Sequence, residues 1–439
     1  MARRRREPET ATIHAVTHDG KGIANLDGKK AFVAGALTGE TVQFIRRKSR
    51  RNYDECELLE VIDASPDRIE PRCAAFGRCG GCSLQHVTPD HQRSIKDQTL
   101  RDSLERIGRV EPNRWLDPMI GPEWNYRRRA RLAVKHVPAK GRVLVGFRER
   151  HAPFITDMNR CEVLAGPVDG MIDALSEMIG RLTIRARLPQ IEVAVADNGI
   201  ALVFRVLDPP GDTDIAALVT FGKAQGVRIY LQPSGLDSVV PLHPSAESEP
   251  LCYSLGAFGI SIVFEPVDFI QVNRDINERM VSYAVDQLEP GRDDRVLDLF
   301  CGIGNFSLPL ARHAGHVLGV EGEASLVARA SENARRNGLG NVDFRVADLH
   351  KIDGTEPWVR SGWDRLLLDP ARSGAAEIVS RMHLIEPQRI VYVSCHPGTL
   401  ARDAGTLVHE KGYCLEAAGI IDMFPHTAHV ESVCIFSKS

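Results

Sequence analysis

Apolar positions change their rhythm several times along the chain. From residue 11 to about 62 they alternate over short stretches, Ala11–Val16, Ala31–Ala34, Thr41–Phe44 and Leu58–Ile62, with turn residues at 18–20 and 27–28 between them. Such alternation predicts half-buried strands. Short strands following one another over about 50 residues suit a small β-barrel such as an OB-fold, and Ser65-Pro66 marks its end. Residues 67–90 carry three cysteines and little periodicity. Ile95, Leu100, Leu104 and Ile107 then fall at helical spacing, and Gly108 stops the helix. Between about 125 and 265 strands return, with Arg131–Val137 and Arg142–Phe147 as one hairpin and Ile191–Ala196 and Ile200–Leu207 as another. From about 290, the apolar runs Arg295–Phe300, His316–Glu321, Val342–Ala347, Arg365–Asp369 and Arg389–Ser394 alternate with helical stretches such as Ala324–Asn337. Strands apolar on both faces, with helices between them, predict a parallel sheet covered on both sides, an α/β fold.

Charge adds direction to this outline. The net charge is only −3, but the first 51 residues hold twelve Lys/Arg against five Asp/Glu, including the run Arg3–Arg6. A second basic group comprises Arg127, Arg128, Arg129, Arg131 and Lys135. Basic patches of this kind bind phosphate even on an acidic protein, although many are simply solvated faces. No apolar run is long enough to cross a bilayer, and no apolar segment follows the N-terminal arginines, so the reading is cytoplasmic with no membrane partner. In a reducing compartment, ten cysteines favour metal binding or catalysis over disulfides.

The run Val296–Phe300 leads into Cys301-Gly302-Ile303-Gly304-Asn305, a strand entering a glycine turn. Glycines there let the backbone approach a ligand at the strand's C-terminal end. Glu321 ends the next strand and is placed to accept from ribose hydroxyls, while Asp348 is placed to meet an adenine amine. Phe306 and Ser307 stand where a dinucleotide site would want a third glycine, which favours S-adenosylmethionine. Asp369-Pro370-Ala371-Arg372 and Ser394-Cys395-His396-Pro397 close the fourth and fifth strands on the same edge.

A thiol beside a methyl donor suits C5 of uracil. Thiolate addition at C6 makes C5 nucleophilic, and a base must afterwards remove the C5 proton. Cys395 is the candidate nucleophile. Glu431, His426 and His429 are rival bases, and spacing does not choose among them. Cys56, Cys252, Cys301, Cys414 and Cys434 read as small apolar residues. Cys73-x5-Cys79-x2-Cys82, with Cys161 as a fourth thiolate, fits either tetrahedral zinc or a 4Fe–4S cluster.

Ser394-Cys395-x-Pro397-x-Thr399, the segment Asp422–Val433 and the glycine loop together resemble the RNA 5-methyluridine methyltransferase family over nearly the whole chain. The basic N-terminal barrel resembles the TRAM domain; combined with a cysteine cluster, it resembles the branch that methylates bacterial 23S rRNA. The resemblance implies a TRAM (OB-fold) RNA-binding domain at 1–66 and a central α+β iron–sulfur domain at 67–94 and 125–268. It implies a Rossmann-like class I methyltransferase domain at 95–124 and 269–439. It makes Cys395 the nucleophile and Glu431 the base, and sets Gln271, Phe300, Asn305, Glu321, Asp348 and Asp369 around S-adenosyl-L-methionine and the target base. It favours a 4Fe–4S cluster on Cys73, Cys79, Cys82 and Cys161, and implies 23S rRNA as partner of a monomer with no protein partner. Alternatives are another rRNA or tRNA uridine, a radical enzyme using adenosylmethionine, and a non-catalytic RNA-binding iron–sulfur protein. Arg127–Arg131 is expected to hold the RNA backbone, and Tyr126 or Phe147 to stack on a base, core packing being the better reading for Phe147. One departure stands out: His396 follows the nucleophile where family members often have Asn.

Overall fold

The computed structural model describes residues 7–438 apart from His18, Asp27, His151 and residues 245–248. The Arg3–Arg6 run and part of the two expected turns, at His18 and Asp27, therefore lie outside the described residues.

The N-terminal region forms a six-stranded sheet in the order Glu9–Thr12, Thr41–Ser49, Tyr53–Asp63, Lys29–Ala34, Lys21–Leu26, Ala15–Val16. It wraps a core of Ile13, Ala24, Ala31, Val33, Val42 and Phe44. The expected first strand is split in two because Ile13 and His14 turn aside: the Ile13 amide donates to Glu40 O and the His14 amide to Ile23 O. The last strand is longer than Leu58–Ile62, since its first half pairs in parallel with Lys29–Ala34. Glu40, fully buried, accepts both prongs of Arg68 and the amides of Leu37 and Ser65. Burial alone would push this carboxyl up, but those donors hold it below the usual range, so it locks the barrel to the linker as an ion pair.

The central region holds a second six-stranded sheet, ordered Val240–His243, Arg228–Gln232, Gly199–Arg205, Gln190–Ala196, Arg129–Val137, Arg142–Gly146. Both expected hairpins are present in antiparallel register. The helices Ile172–Arg181 and Asp212–Gln225 are additions to the strand-rich reading.

The C-terminal region is an eight-stranded sheet in the order Val342–Val346, His316–Glu321, Arg295–Leu299, Arg365–Leu368, Arg389–Ser394, Glu431–Lys438, Tyr413–Ile421, Arg114–Trp115. The first five run parallel, and Glu431–Lys438 inserts antiparallel beside Arg389–Ser394. The helix Pro89–Ser103 reaches this layer from far earlier in the chain. Its buried Lys96 ammonium contacts Asp422 Oδ1 at 2.6 Å and the Phe424 carbonyl at 2.9 Å. Leu100 and Leu104 are buried as expected, but Ile107 is 55% exposed. A π-helical turn at Leu104–Gly108 adds one residue to the turn and rotates Ile107 to solvent. Gly108 then passes the helix Pro397–Lys411 so closely that a Cβ on it would lie 2.5 Å from the Ala401 carbonyl oxygen. Among the described residues, no helix is long and apolar enough to cross a membrane.

Candidate active site

Parallel strands deliver their C-terminal ends to one edge, and the candidate residues collect there. Leu299 pairs with Val320 and with Leu368. Just beyond this register the Phe300 amide donates to the Val320 carbonyl at 2.9 Å and the Asp369 amide to the Leu299 carbonyl at 3.4 Å. Phe300 adopts φ +65°, and Gly302 and Gly304 have φ +54° and +94°. The turn is thus left-handed at three places, which only glycine adopts freely. Glu321 is fixed from behind, accepting from the Gly302 amide at 3.1 Å and the Gly322 amide at 2.7 Å.

Beneath this turn lies Asp298, fully buried, with Oδ2 bonded to Ser307 and Oδ1 without a partner. Burial pushes its carboxyl up to about 8 despite Ser307, with Asp369 and Glu321 adding to the rise. A glycine cradle above an orphaned buried acceptor is chemistry that fits a polar, cationic ligand such as S-adenosylmethionine. Sequence reasoning passed over Asp298 because it sits inside an apolar strand pattern.

The other expected donor residues are placed unevenly. Asn305 turns its amide inward, accepting from Tyr253 Oη at 2.9 Å and exchanging hydrogen bonds with Asn277 at 2.9 and 3.1 Å. Its side chain therefore ties the loop to the helix Arg274–Leu288. Asp348 is exposed and pairs with Lys351 at 3.0 Å. Gln271 is half-buried, and its carbonyl accepts from Arg128 Nε at 2.8 Å. Tyr253, Asn277 and Arg128 carry no motif, and only the fold brings them to the site.

Ser394 pairs with Ser432 as the last step of the antiparallel register, and Cys395 and Glu431 are the residues that adjoin this pair, close enough for the carboxyl to act on the thiol. Burial pushes the half-buried Cys395 thiol up to about 11; Glu431 and Asp369 act in the same direction and Arg372 opposes them. Burial also raises the Glu431 carboxyl well above the carboxylate range, again with Asp369 adding and Arg372 opposing. Asp369, pushed up to about 7 by burial, is felt on both the donor side and the thiol side.

The two histidines differ in place: His426 lies apart from this pair, whereas His429 stands beside Arg372. His426 is buried against Trp124, ring centroids 3.8 Å apart, and burial with nearby Lys96 holds its imidazole down to about 4, Asp422 opposing. His429 is exposed, with Nδ1 3.2 Å from Arg372.

His396 caps the helix Pro397–Lys411, its Nδ1 accepting from the Thr399 amide at 3.2 Å. Asn is equally suited to that task. His396→Asn is expected to keep turnover within about threefold, and His396→Ala to cost about 1 kcal/mol of stability. Steady-state kinetics and urea unfolding of the two variants check this; a hundredfold loss in the Asn variant would give the imidazole a chemical role.

Cys73, Cys79, Cys82 and Cys161 line one cavity of about 230 Å³, together with Tyr126, Phe147 and Thr427 among others. Among the described residues, no group of three or more His, Cys, Asp or Glu side chains is arranged to hold a metal ion. Tyr126 is not available for stacking on a base: it is buried, and its hydroxyl donates to the Pro425 carbonyl at 3.0 Å. The basic group at 127–135 is likewise not one RNA-facing row. Arg128 is buried, Arg129 donates to the carbonyls of Asp268 and Val193, and strand alternation leaves Arg131 and Lys135 outward.

Comparison with known proteins bears on this site. Residues 259–356 and 358–439 match the family described as tRNA (Uracil-5-)-methyltransferase. The chain is 51% identical to the 23S rRNA (uracil(1939)-C(5))-methyltransferase RlmD of Methylococcus capsulatus, over 98% of this chain and 97% of that one. It is 48% identical to the protein of the same name from Stenotrophomonas maltophilia, over the full length of both. The fold also matches the crystal structure of Pyrococcus abyssi tRNA (uracil-54, C5)-methyltransferase in complex with S-adenosyl-L-homocysteine. That match has a TM-score of 0.76 at 23% identity and covers 98% of this chain and 100% of the other. With identity near one residue in two sustained from end to end, the chain belongs to the RNA 5-methyluridine methyltransferase family, on its RlmD-like side.

Proposed function

We propose that this chain transfers a methyl group from S-adenosylmethionine to C5 of a uridine in 23S rRNA, the position its relatives' names give as uracil 1939. What supports the reading is that Cys395 and Glu431 adjoin the last pair of one strand pairing, with Asp369 acting on both.

The Cys395 thiolate adds to C6 of the uracil, and the ring electrons move toward O4 and C5. Bound adenosylmethionine supplies an electrophilic methyl on a sulfonium. C5 takes that methyl, and S-adenosylhomocysteine is left. The Glu431 carboxylate then accepts the C5 proton, the C6–S bond breaks, and the thiolate returns to Cys395. Arg372 is the cation that favours the charged forms of both groups. Glu321 and the Gly302–Gly304 turn hold the donor's nucleoside, while Gln271, Phe300, Asn305, Asp348 and Asp369 complete its surroundings. A radical route needs an electron, so methyl transfer without reductant separates the readings.

The three-part division is part of this proposal, with residues 1–66 as a TRAM-type RNA-binding barrel. So is a 4Fe–4S cluster held by Cys73, Cys79, Cys82 and Cys161. Its support is the shared cavity, which is roomier than a single ion with ~2.3 Å bonds to sulfur requires. Donors also face the sulfurs: the Gly81 amide lies 3.4 Å from Cys79 Sγ, and the Val163 and Leu164 amides approach Cys161. Amide donors of this kind are a recurrent means of tuning cluster thiolates.

The test is mass-spectrometric mapping of 5-methyluridine in rRNA from cells with and without the gene. Loss of the modification at the one 23S position, restored by the wild-type gene, is the expected result. An unchanged map would remove the assignment.

A further inference from the structure

Among the described residues, six other than glycine have a left-handed backbone, and most explain themselves. Arg109, Glu289 and Glu386 end helices, where such a residue is usual. Asn125 is of a type that tolerates it, and Phe300 belongs to the donor turn. His426, at φ +66°, is also of a type found there more often than most, but it follows no helix, and its Cβ still makes the conformation costly.

Its surroundings over-determine that conformation. The His426 carbonyl accepts from two amides, Ser83 at 2.9 Å and Leu84 at 3.0 Å. Its own amide donates to Gln92 Oε1 at 2.8 Å, and Gln92 Nε2 is anchored on the Val87 carbonyl at 2.8 Å. Flanking residues are held from the same side: Phe424 by Lys96, Pro425 by Tyr126, and Ala428 by Ser83 Oγ. None of these partners belongs to the sheet that carries Cys395. The imidazole Nε2 is buried with no hydrogen-bond partner, Nδ1 lies 3.4 Å from Gln92 Nε2, and the ring packs against Trp124. A strained residue persists where neighbours enforce it, and such places cluster at functional sites. Five residues later the chain enters the sheet at Glu431.

We propose that His426 is a positioning residue, whose left-handed backbone, pinned by Ser83, Leu84 and Gln92, fixes where the strand Glu431–Lys438 begins and so holds Glu431 close to Cys395. The inference rests on Glu431 being the base that takes the C5 proton. The region just after Cys82 thereby sets the geometry of a reaction on another sheet.

The test compares His426→Gly and His426→Asn, which accept the left-handed backbone, with His426→Val, which resists it. Single-turnover reactions with labelled methyl donor record methyl incorporation and the fraction of methylated RNA still covalently bound. Gly and Asn are expected to release product within about threefold of wild type, and Val to release it at least about tenfold more slowly. In the Val variant incorporation changes less than release, so methylated adduct builds up. Equal losses in Gly, Asn and Val would overturn the inference in favour of a role for the ring, and normal release by folded Val would overturn it outright. If Val does not fold, Gly and Asn decide: slow release in both overturns it, normal release in both upholds it. Glu431→Gln in the same assay separates the two ideas. Trapping there with normal release by Val sinks only the positioning role, whereas normal release by Glu431→Gln sinks the base assignment beneath it.

Discussion

Cys395→Ala is expected to lower turnover by at least about ten-thousand-fold, roughly 5.5 kcal/mol of barrier. Without sulfur at C6, C5 of uracil is no longer electron-rich, and nothing else at the sheet edge replaces it: Cys301, the next thiol on this edge, is buried beneath the glycine turn. RNA affinity should change little, because the thiol is one small group in a large contact. With RNA carrying 5-fluorouridine at the target, wild-type enzyme should form a denaturation-resistant protein–RNA adduct, since fluorine cannot leave as the proton does. Gel analysis of that adduct is the decisive measurement. Its persistence in the alanine variant would remove Cys395 from the mechanism. The same geometry fixes a pH profile. Burial raises the thiol, and it adds to the ring as the thiolate, before or during the effectively irreversible methyl transfer. The wild-type kcat/KM for RNA should therefore climb steadily from pH 6 to pH 9, with no plateau near neutrality.

Glu431→Gln is expected to slow turnover by about a thousandfold, roughly 4 kcal/mol, by blocking a later step. Addition and methyl transfer proceed, the C5 proton stays, and the thiolate cannot leave. Methylated RNA should accumulate covalently attached to the enzyme, visible with labelled donor under denaturing conditions. Stability should stay within about 1 kcal/mol of wild type, because burial disfavours charge at this position and the amide is neutral and of the same shape. Release of methylated RNA at the normal rate would assign the base elsewhere. His426 is a poor substitute, being buried behind Trp124.

How much of this was readable in the residues differs from region to region. The parallel strands stood out because their apolar runs are continuous: His316–Glu321 and Arg389–Ser394 appear with the expected limits. The donor turn was legible because glycine pairs after a strand have few other uses. Choosing Glu431 over His426 and His429 was not possible from spacing, since the choice depends on a strand pairing between residues 394 and 432. Ile107 was misplaced because an inserted π turn leaves no compositional trace. Arg128 and Arg129 read as a phosphate-binding patch because charge alone does not reveal that Arg128 is buried over the Tyr253 ring and that Arg129 donates to backbone carbonyls. Tyr126 is inward for a similar reason, its hydroxyl being satisfied some 300 positions later by Pro425.

The carboxyl of Asp369 is sensed on both flanks of the sheet edge. On the mechanism proposed above, that makes occupancy and protonation reciprocal. A sulfonium arriving on one flank favours the ionised acid, and the ionised acid in turn favours the sulfonium. Once the methyl has moved, the spent molecule is neutral and loses that preference. On that mechanism, fresh donor is expected to be held more tightly than by-product, and the difference to shrink as falling pH neutralises the acid.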